Sequence, residues 1–321
     1  MKNTFAWLPL LVALLGCNAA TAQDFPTRPI RVVVPFPAGG TADVLPRILA
    51  EKLRTRFPAG VVVENKPGAG GNIGAELVSK AEPDGHTLLA APPGPIAINQ
   101  SLYPKLAYDA TRFVPVTVMA AVPNVLAVSN KLPVKNVQEF IAYLKANPGK
   151  VAYASQGNGS LSHIGTEIFK QQSGTFMTHI PYRGSGPVVA DVLAGQVQVF
   201  ITTPPSVMQH VVSGKLKAFA VTGTKRHPGL PNVPTVAEAG MPDFKLEAWV
   251  GLFAPAATPP AVVAKLTADV KKALDMPETR QRADAAGIEL RYLPPDALGE
   301  LVKTETAYWA KTIKAAGIKA D

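Results

Sequence analysis

The residues best placed for chemistry sit where a strand gives way to a helix. Pro35-Phe36-Pro37-Ala38-Gly39-Gly40-Thr41-Ala42-Asp43 follows the β-branched run Ile30-Arg31-Val32-Val33-Val34 and precedes Val44, Ile48, Leu49 and Leu53 at helical spacing. Such a junction turns unbonded backbone N–H groups and the positive end of a helix dipole toward the space beyond the strand, which suits an anion. The plain alternative is an ordinary β–α turn. Gln156-Gly157-Asn158-Gly159-Ser160 and Arg183-Gly184-Ser185-Gly186-Pro187 repeat the pattern later in the chain. Other chemistries lack their residues. Neither a Walker Lys-Ser/Thr ending nor a GxGxxG is present, since a count from Gly68 puts Ile73 at the third glycine. Ser160, Ser162 and His163 are nucleophile and base types, but neighbours in sequence rarely reach Ser–His geometry. With no GxSxG elbow, no HExxH and no cysteine pair, a hydrolase using them is kept only as a contrast, and no metal or cofactor is expected.

Single residues have plain roles beside sharp ones. Asp43 can cap the helix that Val44 opens, and would then only orient the loop. Arg183 is the best candidate for a cation at a binding cleft, against a solvated surface arginine. His86 and His179 fall on expected strands as packing residues, and Trp249 reads as core.

These loops need a scaffold. At 321 residues, 47% hydrophobic and 17% charged, the chain is long enough for two folded domains. Its formal charge of +9 comes from interspersed lysines and arginines, which argues against a nucleic-acid stripe and for mild attraction of small anions. Lys2 followed by an apolar stretch over residues 5–16 reads as a secretion signal over residues 1–22. Ala20-Thr21-Ala22 fits signal cleavage and is preferred; Leu14-Leu15-Gly16-Cys17 resembles a lipoprotein box that would anchor the chain through Cys17. Cys17 is the sole cysteine, so no intrachain disulfide can form.

Strands are expected over residues 30–34, 60–65 and 85–91, with helices over 43–57 and 75–81 between them. Residues 115–128 read as a crossing segment. A second strand–loop–helix series then runs over 151–155, 161–172, 178–182, 188–193, 198–202, 205–212 and 216–222, after a helix over 137–146. A return strand over 247–254 and helices over 260–274, 277–286 and 297–316 complete the first unit. The fold class is therefore α/β with two lobes, each a mainly parallel sheet flanked by helices and joined by two crossing strands. Lobe 1 is discontinuous, 24–122 plus 247–321, and lobe 2 is 123–246. Ligands of such sheets sit beyond the strands' carboxyl ends, here in a cleft that can hinge shut.

Several ordered segments carry a specific resemblance: the loop at 35–43, Val63-Glu64-Asn65-Lys66-Pro67-Gly68-Ala69-Gly70-Gly71, Pro83-Asp84-Gly85-His86-Thr87-Leu88, Gly157-Asn158-Gly159-Ser160 with Ser162-His163, His179-Ile180-Pro181-Tyr182-Arg183-Gly184, Leu230-Pro231-Asn232-Val233-Pro234-Thr235, and Trp249-Val250-Gly251-Leu252-Phe253-Ala254-Pro255. From residue 25 onward the chain resembles the Bug-type solute receptors of tripartite tricarboxylate transporters. The resemblance implies a type II periplasmic binding fold, a monomer and no catalysis. It also implies a small organic carboxylate as ligand, delivered to a membrane permease of a large and a small subunit; passing the signal to a sensor protein is the alternative. By the same resemblance the ligand is held by Phe36, Ala38, Gly39, Gly40 and Asp43 of one loop and Gly157, Asn158, Gly159, Ser160, Ser162 and His163 of the other. N–H groups at two opposed helix starts can take one carboxylate each without burying a lysine or arginine. At roughly 1.5–3 kcal/mol per charge-assisted hydrogen bond, three or four at each end support micromolar binding after ordering costs. Two departures bear on the ligand. Thr202-Thr203 stands where many relatives carry an acid, which weakens an amino-acid ligand. Pro92-Pro93-Gly94-Pro95 gives a stiff apolar rim, with Pro93 beside the ligand, which favours a flat or hydrocarbon body.

Overall fold

The computed structural model of the protein describes residues 25–244 and 246–319; the expected signal segment and Cys17 lie outside them. The chain opens with β1 (Ile30–Val34), α1 (Thr41–Leu53), β2 (Val61–Asn65), α2 (Asn72–Ser79) and β3 (Thr87–Ala91). A proline-led π turn at Gly94–Ile98 and the short α3 (Asn99–Leu102) precede β4 (Val114–Pro123). The chain crosses at Asn124 into β5 (Val125–Ser129), α4 (Val137–Ala146), β6 (Ala152–Ser155), α5 (Leu161–Ser173), β7 (Thr178–Pro181), α6 (Ser185–Ala194), β8 (Val199–Thr202), α7 (Pro204–Val212) and β9 (Leu216–Val221). It returns through β10 (Glu247–Ala254), α8 (Pro260–Leu274), α9 (Pro277–Ala285), β11 (Glu289–Leu293) and α10 (Pro295–Ala316).

Two sheets result, ordered β11-β4-β10-β3-β1-β2 and β7-β6-β8-β5-β9. In the first, β1 pairs parallel with β2 (Val32↔Val63) and β3 (Val32↔Leu88). The connections are helices, as parallel pairing requires. β10 runs antiparallel to β3 and β4, and β11 antiparallel to β4. The second sheet pairs β6 parallel with β7 and β8, but β5 antiparallel with β8 and β9. Each sheet is thus mixed where the sequence suggested mainly parallel, because the crossing and returning strands enter against the βαβ direction. The expected crossing segment is two strands, β4 in one sheet and β5 in the other, with Asn124 as the pivot between them. β11 was missed, since Glu289-Leu290-Arg291-Tyr292-Leu293 is a short edge strand whose alternation is easily read as a helix end.

Burial explains the placement. Every residue of β3 and of β5 is buried, as strands covered on both faces should be. Leu45, Leu49 and Leu53 put the apolar stripe of α1 into the core beside Ile30 and Phe57; full burial of such side chains contributes about 1.5–3 kcal/mol each. Across the pivot, Phe140 packs on Phe169 at 5.9 Å and on Phe219 at 6.0 Å between ring centroids. The pivot itself is fixed by polar bonds. Asn124 N donates to Thr222 Oγ1 at 2.7 Å, Thr222 N donates to Asn124 O at 2.9 Å, and Thr222 Oγ1 donates to Leu246 O. Both passages of the chain between the sheets are thereby tied at one point.

Candidate ligand-binding cleft

A cavity lies between the two sheets, lined from one side by Phe36, Pro37, Gly40–Asp43, Pro92 and Gly94, and from the other by Gln156, Leu161, Ser162, Gly184, Ser185 and Thr203. Val122 and Asn124 of the crossing and Ala248–Val250 of β10 also line it. The first turns of three helices, α1, α5 and α6, therefore meet there, together with Thr203, the residue before α7, whose opening Pro204 and Pro205 carry no N–H. No lysine, arginine or histidine is among the lining residues, and Asp43 is the sole charged one.

The first loop is built by Asp43. Its carboxylate, buried in the first turn of α1, accepts Gly39 N at 3.1 Å, Arg47 Nε at 2.9 Å and Asn65 Nδ2 at 2.8 Å. Asn65 Nδ2 also donates to Phe36 O at 2.9 Å, and Arg47 Nη2 donates to Asn65 Oδ1 at 2.7 Å. Burial pushes the Asp43 carboxyl up, but the bonds from Arg47, Asn65 and Gly39 outweigh it and hold the group below the usual carboxylate range. Asp43 therefore spends its charge on folding the loop back toward β2. The residue before the helix is Gly40, which offers no side-chain cap. Asp43 N and Val44 N both turn to Gly40 O, whereas Thr41 and Ala42, with no intrahelical carbonyl in reach of their N–H groups, border the cavity. Thr41 Oγ1 is buried without a hydrogen-bond partner among the described residues.

The second loop is equally self-bonded. Ser160 caps α5: its Oγ accepts His163 N at 3.4 Å and donates to Gly157 O at 2.6 Å. Ser162 Oγ accepts Gln156 N at 3.0 Å and lies 2.9 Å from Ser160 Oγ. His163 Nδ1 accepts Gly159 N at 3.2 Å, and its ring stacks on His179 at 4.3 Å, which stacks on Tyr153 at 4.7 Å. Ser155 Oγ joins the column, 2.7 Å from His179 Nε2, and accepts Gly157 N at 3.2 Å. Burial first, then the neighbouring His163 and Lys170, push His179 down to about 3, so its ring is neutral. These serines and histidines shape the loop on which the hydrolase reading had placed a nucleophile and a base. Gln156 ties this loop to the start of α6, its Nε2 donating to Ser185 Oγ at 2.5 Å.

Of the residues singled out from sequence, Phe36, Gly40, Asp43 and Ser162 line the cavity. Gly157, Asn158 and Arg183 line an adjoining recess, which shares Phe36, Pro37, Gln156 and Gly184 with it. Arg183 is exposed there. Ala38 and Gly39 lie on the surface outside both. Gly39 has φ +101° with open space where a Cβ would stand, so the loop's backbone itself favours glycine there. Pro93, Gly159, Ser160 and His163 sit behind the lining, and Thr202 ends β8 with a buried Oγ1 that has no partner among the described residues. Trp249 is buried as expected, yet also borders the cavity.

Thr41, Asn124, Gln156, Ser185 and Thr203 were missed as lining residues. Asn124 had a signal: it is the one amide in the apolar run over residues 114–128. Its Nδ2 is buried without a partner among the described residues. An unpaired buried donor costs about 1–3 kcal/mol, which a ligand acceptor would recover.

Comparisons with known proteins agree with this architecture. The family described as tripartite tricarboxylate transporter family receptor matches residues 45–318. Protein BugT of Bordetella pertussis is 36% identical over 322 residues, covering 99% of each chain. Among solved structures, Rpa4515 of R. palustris with adipate superposes with a TM-score of 0.88 at 37% identity, covering 92% of this chain and 99% of that one. MatC of Rhodopseudomonas palustris with bound malate gives 0.85 at 34% identity, covering 90% and 100%.

Proposed function

The chain belongs to the tripartite tricarboxylate transporter receptor family, a family of solute receptors and not of enzymes, and from that premise we propose that it captures a small organic carboxylate in the cleft between its two sheets. The observation that carries this is a cavity bordered by the N-termini of α1, α5 and α6, with the buried side-chain donors Thr41 Oγ1 and Asn124 Nδ2 left without protein partners among the described residues. Helix termini and amides neutralise a carboxylate without the desolvation of a buried cation, which costs several kcal/mol per ion. Phe36, Pro92 and Val122 offer an apolar wall for a hydrocarbon body between the charged ends. The cavity measures about 50 Å³, several times the roughly 10–15 Å³ of one water. A small solute is the class that enters such a space, and two solved relatives hold malate and adipate.

The binding set comprises Phe36, Gly40, Thr41, Asn124, Gln156, Ser162, Ser185 and Thr203, with the expected Ala38, Gly39, Asp43, Pro93, Gly157, Asn158, Gly159, Ser160, His163, Arg183 and Thr202 as its supporting frame and rim. Lobe 1 comprises residues 24–122 and 247–321 and lobe 2 residues 123–246, hinged at Asn124. The receptor works in the periplasm as a monomer after removal of residues 1–22, and hands its ligand to a permease of a large and a small subunit. Binding drives closure only through stronger contacts in the closed state. Melting curves with aliphatic, aromatic and citrate-like acids test the ligand class. A saturable rise in Tm with at least one acid, and none with sugars, is expected; no response to any acid would sink the reading.

A further inference from the structure

The recess beside the cavity brings the two lobes into direct backbone contact. Tyr103, the residue after α3, extends its hydroxyl from the first lobe to the Asn158 carbonyl of the second at 2.8 Å. Asn158 lies in the loop between β6 and α5, whose flanking Gln156 and Ser162 line the cavity. Around this bond the backbones meet with no room for side chains. A Cβ on Gly70 would stand 2.1 Å from Asn158 O and 3.1 Å from Tyr103 Oη. One on Gly159 would stand 2.2 Å from Asn99 Oδ1, and one on Gly94 3.3 Å from Gly159 O. Asn99 in turn is fixed by its Nδ2, which donates to Gly70 O at 3.1 Å and Asn72 Oδ1 at 2.6 Å. Burial raises the Tyr103 phenol above its ordinary value, so it stays a donor at any physiological pH.

We propose that Tyr103 is a positioning residue for binding, a latch across the cleft mouth that holds the loop at 156–160 against the closed cavity, with Gly70 and Gly159 as the bare backbone surfaces on which the lobes seat. The inference rests on the carboxylate-receptor reading. The latch never touches the ligand. It lengthens residence by stabilising the closed state, so its loss shows in the dissociation rate.

Stopped-flow and calorimetric measurements with the best acid from the melting panel test it on Tyr103→Phe, Gly70→Ala and Gly174→Ala. Gly174 is a matched control: it shares φ +62° with Gly70, but a Cβ there meets nothing within 4 Å. Losing one net hydrogen bond predicts a dissociation rate roughly 3- to 10-fold higher for Tyr103→Phe, with association unchanged. Overpacking of the seat predicts affinity lower by roughly 10-fold or more for Gly70→Ala, while Gly174→Ala, carrying the same backbone strain, binds as wild type. Wild-type dissociation in Tyr103→Phe, or equal affinity in Gly70→Ala and Gly174→Ala, overturns the latch alone. A wild-type chain that answers to no acid overturns the receptor reading, and the latch with it.

Discussion

At the scale of single residues, the division of labour is between groups that satisfy one another and groups left open. Asp43, Ser160, Ser162 and His163 have the chemistry that draws attention in a sequence, yet their bonds go to Arg47, Asn65 and the loop backbone. Thr41 and Asn124 look ordinary and keep buried polar atoms without partners among the described residues. An unpaired donor weakens the fold and strengthens binding, so Asn124→Leu separates the two effects. The substitution is expected to leave the ligand-free Tm unchanged or higher and to weaken carboxylate binding roughly 10-fold or more, the loss of a hydrogen bond to a charged group. Calorimetry beside a melting curve reads both; a lower Tm with unchanged affinity would make Asn124 a purely structural hinge residue. The sequence displayed the glycine and serine loops because glycine and serine punctuate turns. It hid Asn124, because one polar residue after Pro123 reads as a break between strands, and burial without a partner is a property of the folded surroundings.

Among the elements, strand–loop–helix units were legible from β-branched runs alternating with 3.6-residue periodicity, and α1, α4, α5 and α8 fall where that spacing put them, to within a few residues. Strand direction was not legible, since a buried strand has the same composition whichever way its partner runs. Nor was the column Tyr153–His179–His163, which brings β6, β7 and α5 together from 26 residues of sequence through contacts that periodicity does not encode. This column has a pH signature. With His179 held near 3 in the fold and near 6.5 when unfolded, acid protonates the unfolded chain first. Its contribution to stability is complete above pH 6.5 and is lost as pH falls from there toward 3. Melting temperatures across that window are expected to fall, and His179→Phe, which keeps a ring in the stack but cannot titrate, should flatten part of the slope. A variant profile parallel to wild type would show that His179 does not carry this dependence.

At the scale of the whole molecule, two mixed sheets joined at the Asn124–Thr222–Leu246 tie place three helix starts around one small space. The net charge of +9 adds a mild long-range pull on anions, and with no lysine, arginine or histidine lining the cavity among the described residues the proposed recognition falls to backbone dipoles and neutral donors. Donors of that kind would hold charge without naming its owner, which is why the two-lobed receptor was readable from sequence and the particular acid was not. The most direct measurement is isothermal calorimetry on the purified chain with adipate and malate, each beside its dimethyl ester. Saturable, micromolar or tighter binding of at least one diacid, lost on esterification, is the predicted result. An ester that binds as tightly as its acid, or heats that never saturate with either diacid, would contradict a cleft built to hold carboxylate charge.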